Sequence, residues 1–205
     1  MKKEISPERS SRAEAFDLWM TSPMPMVTLV KTMDVSRMRR VSRKTGVKFT
    51  ALMCWCLGKA ASSIAEFYLL PQDGKLFQYD KLAINVIVQN CKGSISSCDI
   101  PFSDDIRQFN ADYVKYTSAA SMSGISTSLE DCMTIGTSAL LQTELDSIVN
   151  QYSGRYNNPF IVWGRYHKGL LRTTLPVSLQ FHHAQMDGEH ACRFLQNVQE
   201  EIDRL

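Results

Sequence analysis

Leu175-Pro176-Val177-Ser178-Leu179-Gln180-Phe181-His182-His183-Ala184-Gln185-Met186-Asp187-Gly188 is the stretch on which the reading of this chain turns. Leu175, Val177, Leu179 and Phe181 alternate with Pro176, Ser178, Gln180 and His182, the twofold period of a half-buried strand. The apolar parity continues to His183, so its imidazole is expected on the inward face at the strand end and that of His182 on the other. Beyond it the period changes, and Ala191, Phe194, Leu195, Val198, Ile202 and Leu205 fall on one helical stripe. Asp187-Gly188 stands at the joint, where glycine permits a sharp turn. A histidine followed by a carboxylate at a strand-to-helix corner fits a general base with an acid group held beside it. A satisfied, half-buried histidine is the plainer reading of that spacing taken alone. Metal binding fits less well, because adjacent histidines on a strand do not readily chelate together and no third ligand is near in sequence.

Around this stretch the chain has ordinary globular values, with 205 residues, 44% hydrophobic and 21% charged. One domain over residues 1–205 is expected, large enough to bury a real core. With 23 basic and 21 acidic side chains the net charge is +2, which gives no electrostatic case for nucleic acid. No apolar run approaches a membrane span, and Met1 to Ser10 lacks the apolar core of a signal peptide. The six cysteines (Cys54, Cys56, Cys91, Cys98, Cys132 and Cys192) sit mostly in apolar patterns without metal or disulfide spacing. Reduced, buried thiols in a cytoplasmic protein are the expectation.

Taken in order, a polar opening leads into a short helix from Arg12 to Phe16, closed by Pro23 and Pro25. A strand over Val27–Val35 is followed by a basic helix over Ser36–Thr45, ending at Gly46, and by an apolar helix over Lys48–Phe67. Asp73-Gly74 marks a hairpin between 67–70 and 76–79, and a second antiparallel pair is expected over Ala83–Gln89 and Ser94–Cys98. Asp104–Thr117 reads as helix, Ser118–Glu130 as a small-residue loop, and Met133–Leu140 and Phe160–Tyr166 as strands, with a polar turn over Ser153–Asn158. Strands interleaved with a few long helices make an α/β layered domain.

HHAQMDG (His182–Gly188), followed by a helix that ends the chain, resembles the HHxxxDG signature of CoA-dependent acyltransferases, specifically the chloramphenicol acetyltransferase family. Pro159–His183 resembles the family pattern at matched spacing, with a G-x-Y element and a closing P-x-x-x-Q-x-H-H. Thr137–Ser147 and Ile100–Phe109 resemble two further family stretches, so the likeness runs from about Arg12 to the C-terminus. The resemblance implies a two-layer CoA-dependent acyltransferase fold assembled as a homotrimer with active sites between subunits, and acetyl-CoA as cosubstrate. It implies that His183 is the general base and that Asp187 pairs with Arg12 in a structural role. It implies that Ser147 donates to the oxyanion and that Lys48, Arg165 and Tyr166 contact CoA.

Acetyl transfer to an alcohol needs a base for the hydroxyl proton, a donor to the tetrahedral oxyanion and a positioned acyl donor. An imidazole suits the first task at physiological pH, and no G-x-S-x-G elbow suggests an acyl-enzyme route. The departures from the family concern the acceptor. Trp19 stands in place of an acceptor-binding tyrosine, Val162 in place of a threonine that helps position a water, and Thr50 where an aromatic occurs near CoA. Trp19 and Val162 are expected to make the acceptor pocket drier and to weaken or abolish chloramphenicol acetylation. The expected function is therefore acetyl-CoA-dependent O-acetylation of a small hydroxylated molecule. The alternatives are another acyl donor or an amine acceptor, or a catalytically silent trimer that binds a small molecule or CoA.

Overall fold

In the computed structural model, which describes residues 1–152 and 154–205, strands and helices alternate along the chain. The strands are β1 (Lys3–Ile5), β2 (Met26–Asp34), β3 (Leu69–Gln72), β4 (Lys75–Gln78), β5 (Leu82–Gln89), β6 (Ile95–Pro101), β7 (Met133–Leu140), β8 (Phe160–Gly164), β9 (His167–Lys168) and β10 (Thr173–His182). The helices are α1 (Ala13–Trp19), α2 (Ser36–Thr45), α3 (Phe49–Ser62), α4 (Ile106–Ser123) and α5 (Gly188–Arg204). The large sheet runs β2-β10-β8-β7-β5-β6 with β9 paired to β10, and β1-β4-β3 form a small second sheet. β7 is parallel to β5 and β8, while the other pairs are antiparallel, so the sheet is mixed. β10 pairs with β2 from Thr174 opposite Asp34 to His182 opposite Met26.

The alternation read in the sequence decides which side of the sheet is core. Leu175, Val177, Leu179 and Phe181 of β10 join Ile161 and Trp163 of β8, Met133 and Ile135 of β7, and Leu82, Ile84 and Val86 of β5 in one cluster. Helices α2 to α5 close that side. The α5 stripe Ala191, Phe194, Leu195, Val198 and Ile202 is buried, and Phe194 packs on Phe67 with ring centroids 4.6 Å apart. α3 buries nine of its residues because α2, α4, α5 and the sheet surround it. At about 1.5–3 kcal/mol for each fully buried large apolar side chain, this layer dominates the fold's stabilisation.

The α/β reading therefore holds, with local corrections. Ser118–Ser123 is helical rather than loop. α4 continues through it because Thr117 and Ala120 are buried, and it stops at Gly124, whose left-handed φ of 66° closes the helix. The apolar helix expected to reach Phe67 ends at Ser62, with a 3-10 turn at Ala65–Tyr68 carrying the chain into β3. Asp73 and Gly74, both at positive φ, form the β3–β4 turn as expected. The polar opening supplies β1, which pairs with β4. Part of the turn expected over Ser153–Asn158 lies outside the described residues. Cys91 and Cys192 are exposed, against the expectation of buried thiols, while the other four are buried and all six are free.

Candidate active site

β10 ends at His182 and α5 begins at Gly188, so the HHAQMDG turn spans the joint between the layers. Asp187 caps α5, its Oδ1 accepting from the backbone N–H of Glu189 at 3.2 Å and of His190 at 3.4 Å. The His190 ring lies between two carboxylates, with Nδ1 2.7 Å from Asp187 and Nε2 3.2 Å from Glu66. Arg12 is buried and grips the turn at three points. Its Nη1 meets Asp187 Oδ2 at 3.0 Å, Nη2 donates to the His183 carbonyl at 2.7 Å, and Nε donates to the Ala184 carbonyl at 3.5 Å. Partial burial works to raise the Asp187 pKa, but the His190 N–H, the His190 ring and Arg12 outweigh it and hold the carboxyl below its usual range.

This clamp fixes the backbone of His183, whose own N–H donates to the Pro25 carbonyl at 2.8 Å. The half-buried His183 ring stacks on Trp19, centroids 4.5 Å apart and planes 3° from parallel. Its Nδ1 is buried without a hydrogen-bond partner, which leaves Nε2 as the nitrogen open to a group outside the protomer's interior. His182 is 1% exposed and lies on the opposite parity with Ser178 and Gln180. Its Nδ1 accepts from the Ala184 N–H at 3.1 Å, and its ring meets Tyr152 edge-on. Burial first, and the neighbouring His183 second, push the His182 pKa down to about 4, so this ring is neutral near pH 7.

Of the other expected site residues, Ser147 and Val162 lie on the opposite, helix-free face of the sheet, whereas Lys48 and Tyr166 lie at the start of α3, where Phe49 and Tyr166 pack on the core. Segment 141–152 crosses that face, tied down where the Ser178 hydroxyl donates to the Ile148 carbonyl and the Gln180 amide donates to the Asn150 carbonyl at 2.7 Å. Ser147 is exposed on this segment. Lys48, Arg165 and Tyr166 come together with Phe49, Leu141 and Glu144 around a cleft of about 640 Å³. Thr50, at the same cleft, shares a hydrogen bond of 2.9 Å with the Tyr113 hydroxyl. Val162 is buried opposite Ser178 and is not among the residues lining either this cleft or the larger cavity described next.

A second cavity, of about 1270 Å³, lies on the face of the sheet turned away from the helices. Its floor is made by the strand positions that alternate with the core: Asn85 of β5, Asp99 of β6, Thr134 and Gly136 of β7, Phe160 of β8 and Gln180 of β10. Gly136 leaves room for the Phe160 ring, since a Cβ there would stand 2.4 Å from it. Asn85, Asp99, Thr134 and Gln180 give this floor polar groups beside the Phe160 ring, while Trp19 stacks on His183 and Val162 lines neither cavity. None of these floor residues was singled out from sequence, although the alternation in LAINVIV (82–88) and ISSCDIP (95–101) sets Asn85 and Asp99 on the non-core side.

A family model described as chloramphenicol acetyltransferase matches residues 3–199. A chloramphenicol acetyltransferase of Clostridium perfringens is 25% identical over 207 residues, covering 98% of each chain. Among solved structures, a chloramphenicol acetyltransferase superposes with a TM-score of 0.79 at 19% identity, covering 98% of this chain and all of the other. A truncated catalytic core of the 2-oxoacid dehydrogenase multienzyme complex from Thermoplasma acidophilum does so at 0.70 with 16% identity, covering 98% of each. Fold and family together define an acyltransferase. The chain belongs to the chloramphenicol acetyltransferase family.

Proposed function

We propose that this protein transfers the acetyl group of acetyl-CoA to a hydroxyl of a small acceptor, with His183 as general base and both substrates bound together. As the hydroxyl oxygen bonds to the thioester carbonyl carbon, His183 Nε2 takes its proton. When the C–S bond breaks, the proton passes to the departing CoA thiolate. The observation that carries the reading is the clamped turn, in which Arg12 and Asp187 hold His183 with Nδ1 sealed and one ring face on Trp19. A base fixed this way loses little freedom on reaching the reacting geometry. Family membership supports acetyl-CoA as the donor and makes chloramphenicol or a related alcohol the first acceptor to try.

The two cavities share segment 141–152, with Leu141 and Glu144 at the smaller cleft and Asn150 at the larger cavity. Ser147 falls between them in the chain. That order supports CoA in the smaller cleft, where Lys48 and Arg165 supply positive charge for phosphates and Tyr166 an aromatic face. It also supports the acceptor in the larger cavity and the Ser147 hydroxyl as the oxyanion donor. The His183 side chain makes no hydrogen bond within its own protomer among the described residues, and Ser147 is exposed. A homotrimer in which His183 of one subunit completes the cavity of the next fits both facts.

The test is thiol release from acetyl-CoA with chloramphenicol and a panel of small alcohols, products read by mass spectrometry. Acetylated product that disappears in His183→Ala is expected. Retention of CoA with no acceptor turned over would leave a silent binding protein instead.

A further inference from the structure

The large cavity's floor holds a buried carboxylate whose hydrogen-bond donors are neutral groups. Asp99 is 5% exposed, and its oxygens accept from three neutral donors: the Asn85 amide at 2.7 Å, the Leu129 N–H at 2.9 Å and the Thr134 hydroxyl at 3.2 Å. No Lys or His among the described residues pairs with it, and Lys2 and Arg155 stand among the residues lining the same cavity. Lys81, on the same edge of the sheet, is held by Asp131 at 3.3 Å. Burial first, and Asp99 second, push the buried Cys98 thiol up to about 11. A buried carboxylate is normally matched by an opposite charge, because three neutral donors do not fully replace hydration. On the covering segment, Asn150 lines the same cavity and its amide nitrogen is buried with no partner. One wall thus offers a buried carboxyl held by neutral donors, and the covering segment a hydrogen-bond donor without an acceptor.

We propose that the acceptor is an amino alcohol, a small molecule carrying a protonated amine that rests against Asp99 while its hydroxyl is presented for acetylation. This rests on the acetyltransferase reading and narrows its acceptor class. The pairing also sets the chemistry. An amine held as ammonium has no lone pair to attack the thioester, so the hydroxyl oxygen forms the new C–O bond and the amine leaves unacetylated. A purely apolar aromatic acceptor would instead cover the Asp99 carboxyl with carbon.

The experiment uses the full chain saturated with CoA and a matched pair of probes, 2-amino-3-phenylpropan-1-ol and 3-phenylpropan-1-ol, with Kd measured by calorimetry at pH 7. Wild-type protein is expected to bind the ammonium probe at least about tenfold more tightly, a preference that collapses toward unity in Asp99→Asn. Equal affinities in the wild type, a preference unchanged in Asp99→Asn, or no binding of either probe overturns the proposal. Should Asp99→Asn fail to fold, the wild-type ratio decides alone. Acetyl transfer is recorded in parallel. A preference for the ammonium probe without product from any acceptor faults the acetyltransferase reading, whereas product from neutral alcohols without that preference faults only the acceptor class.

Discussion

One peptide bond separates a buried, neutral His182 from a His183 whose Nε2 looks outward, and the two make different experimental demands. His183→Ala is expected to lower kcat on the order of 10²–10⁴-fold, the range for a lost general base, with melting temperature little changed. His182→Ala is expected to act through stability, since it empties a buried site beside Tyr152 and strands the Ala184 N–H. Equal loss of kcat in two folded variants would contradict this division. His182 also gives the fold a pH dependence of definite sign. Its pKa falls from 6.5 in the unfolded chain to about 4 in the fold, so between those values the unfolded chain binds more protons. The stability carried by neutral His182 is complete above about pH 6.5 and is lost as pH falls toward 4, by about 3 kcal/mol at most. Urea midpoints across that window should slope less steeply in His182→Gln than in the wild type.

At the scale of elements, the clamp between the start of α1 and the β10–α5 turn joins residues far apart in the chain. Arg12→Ala removes three contacts and leaves Asp187 with His190 and the helix N–H groups, so a cost toward the low end of roughly 3–5 kcal/mol is expected, along with reduced kcat. In a double-mutant cycle with Asp187→Asn, the pair should lose less than the sum of the singles, and strict additivity would show that they do not act together. Gly136→Ala belongs here too. Its Cβ would drive Phe160 toward the large cavity at an overpacking cost of roughly 1–3 kcal/mol, so KM for the acceptor should rise while that for acetyl-CoA holds. The β10 strand, the α5 stripe and the Asp73-Gly74 turn were legible in the sequence because each is a local pattern with one consistent period. The continuation of α4 through Ser118–Ser123 was not, since small polar residues read as loop until the buried Thr117 and Ala120 show what the helix packs on. Arg12 was reached only by family spacing, because a guanidinium buried by a turn 171 to 175 residues away leaves no local sign. The Asp99 floor was visible as parity but carried no motif.

At the scale of the whole molecule, the proposed sharing of each site between two subunits makes a prediction about assembly. If each site takes its base from one subunit and its oxyanion donor from the next, His183→Ala and Ser147→Ala should each be impaired alone. Co-refolded mixtures should then regain activity at interfaces that hold both intact residues. Within one protomer every site would still lack one group, and mixing would restore nothing. Sedimentation of the wild type at trimer mass is the accompanying expectation.

The strands that build the core also build the cavity, with successive residues facing opposite ways: Ile84 inward and Asn85 outward, Cys98 and Asp99, Ile135 and Gly136, Ile161 and Phe160. Folding and acceptor choice are thereby written in alternate letters of the same words. Substitutions at the outward letters re-line the cavity without removing apolar surface from the helix-covered side, and those at the inward letters do the reverse. A scaffold built this way lets ligand preference drift while the fold stands still, so two chains with superposable backbones and the same clamped histidine can face quite different small molecules.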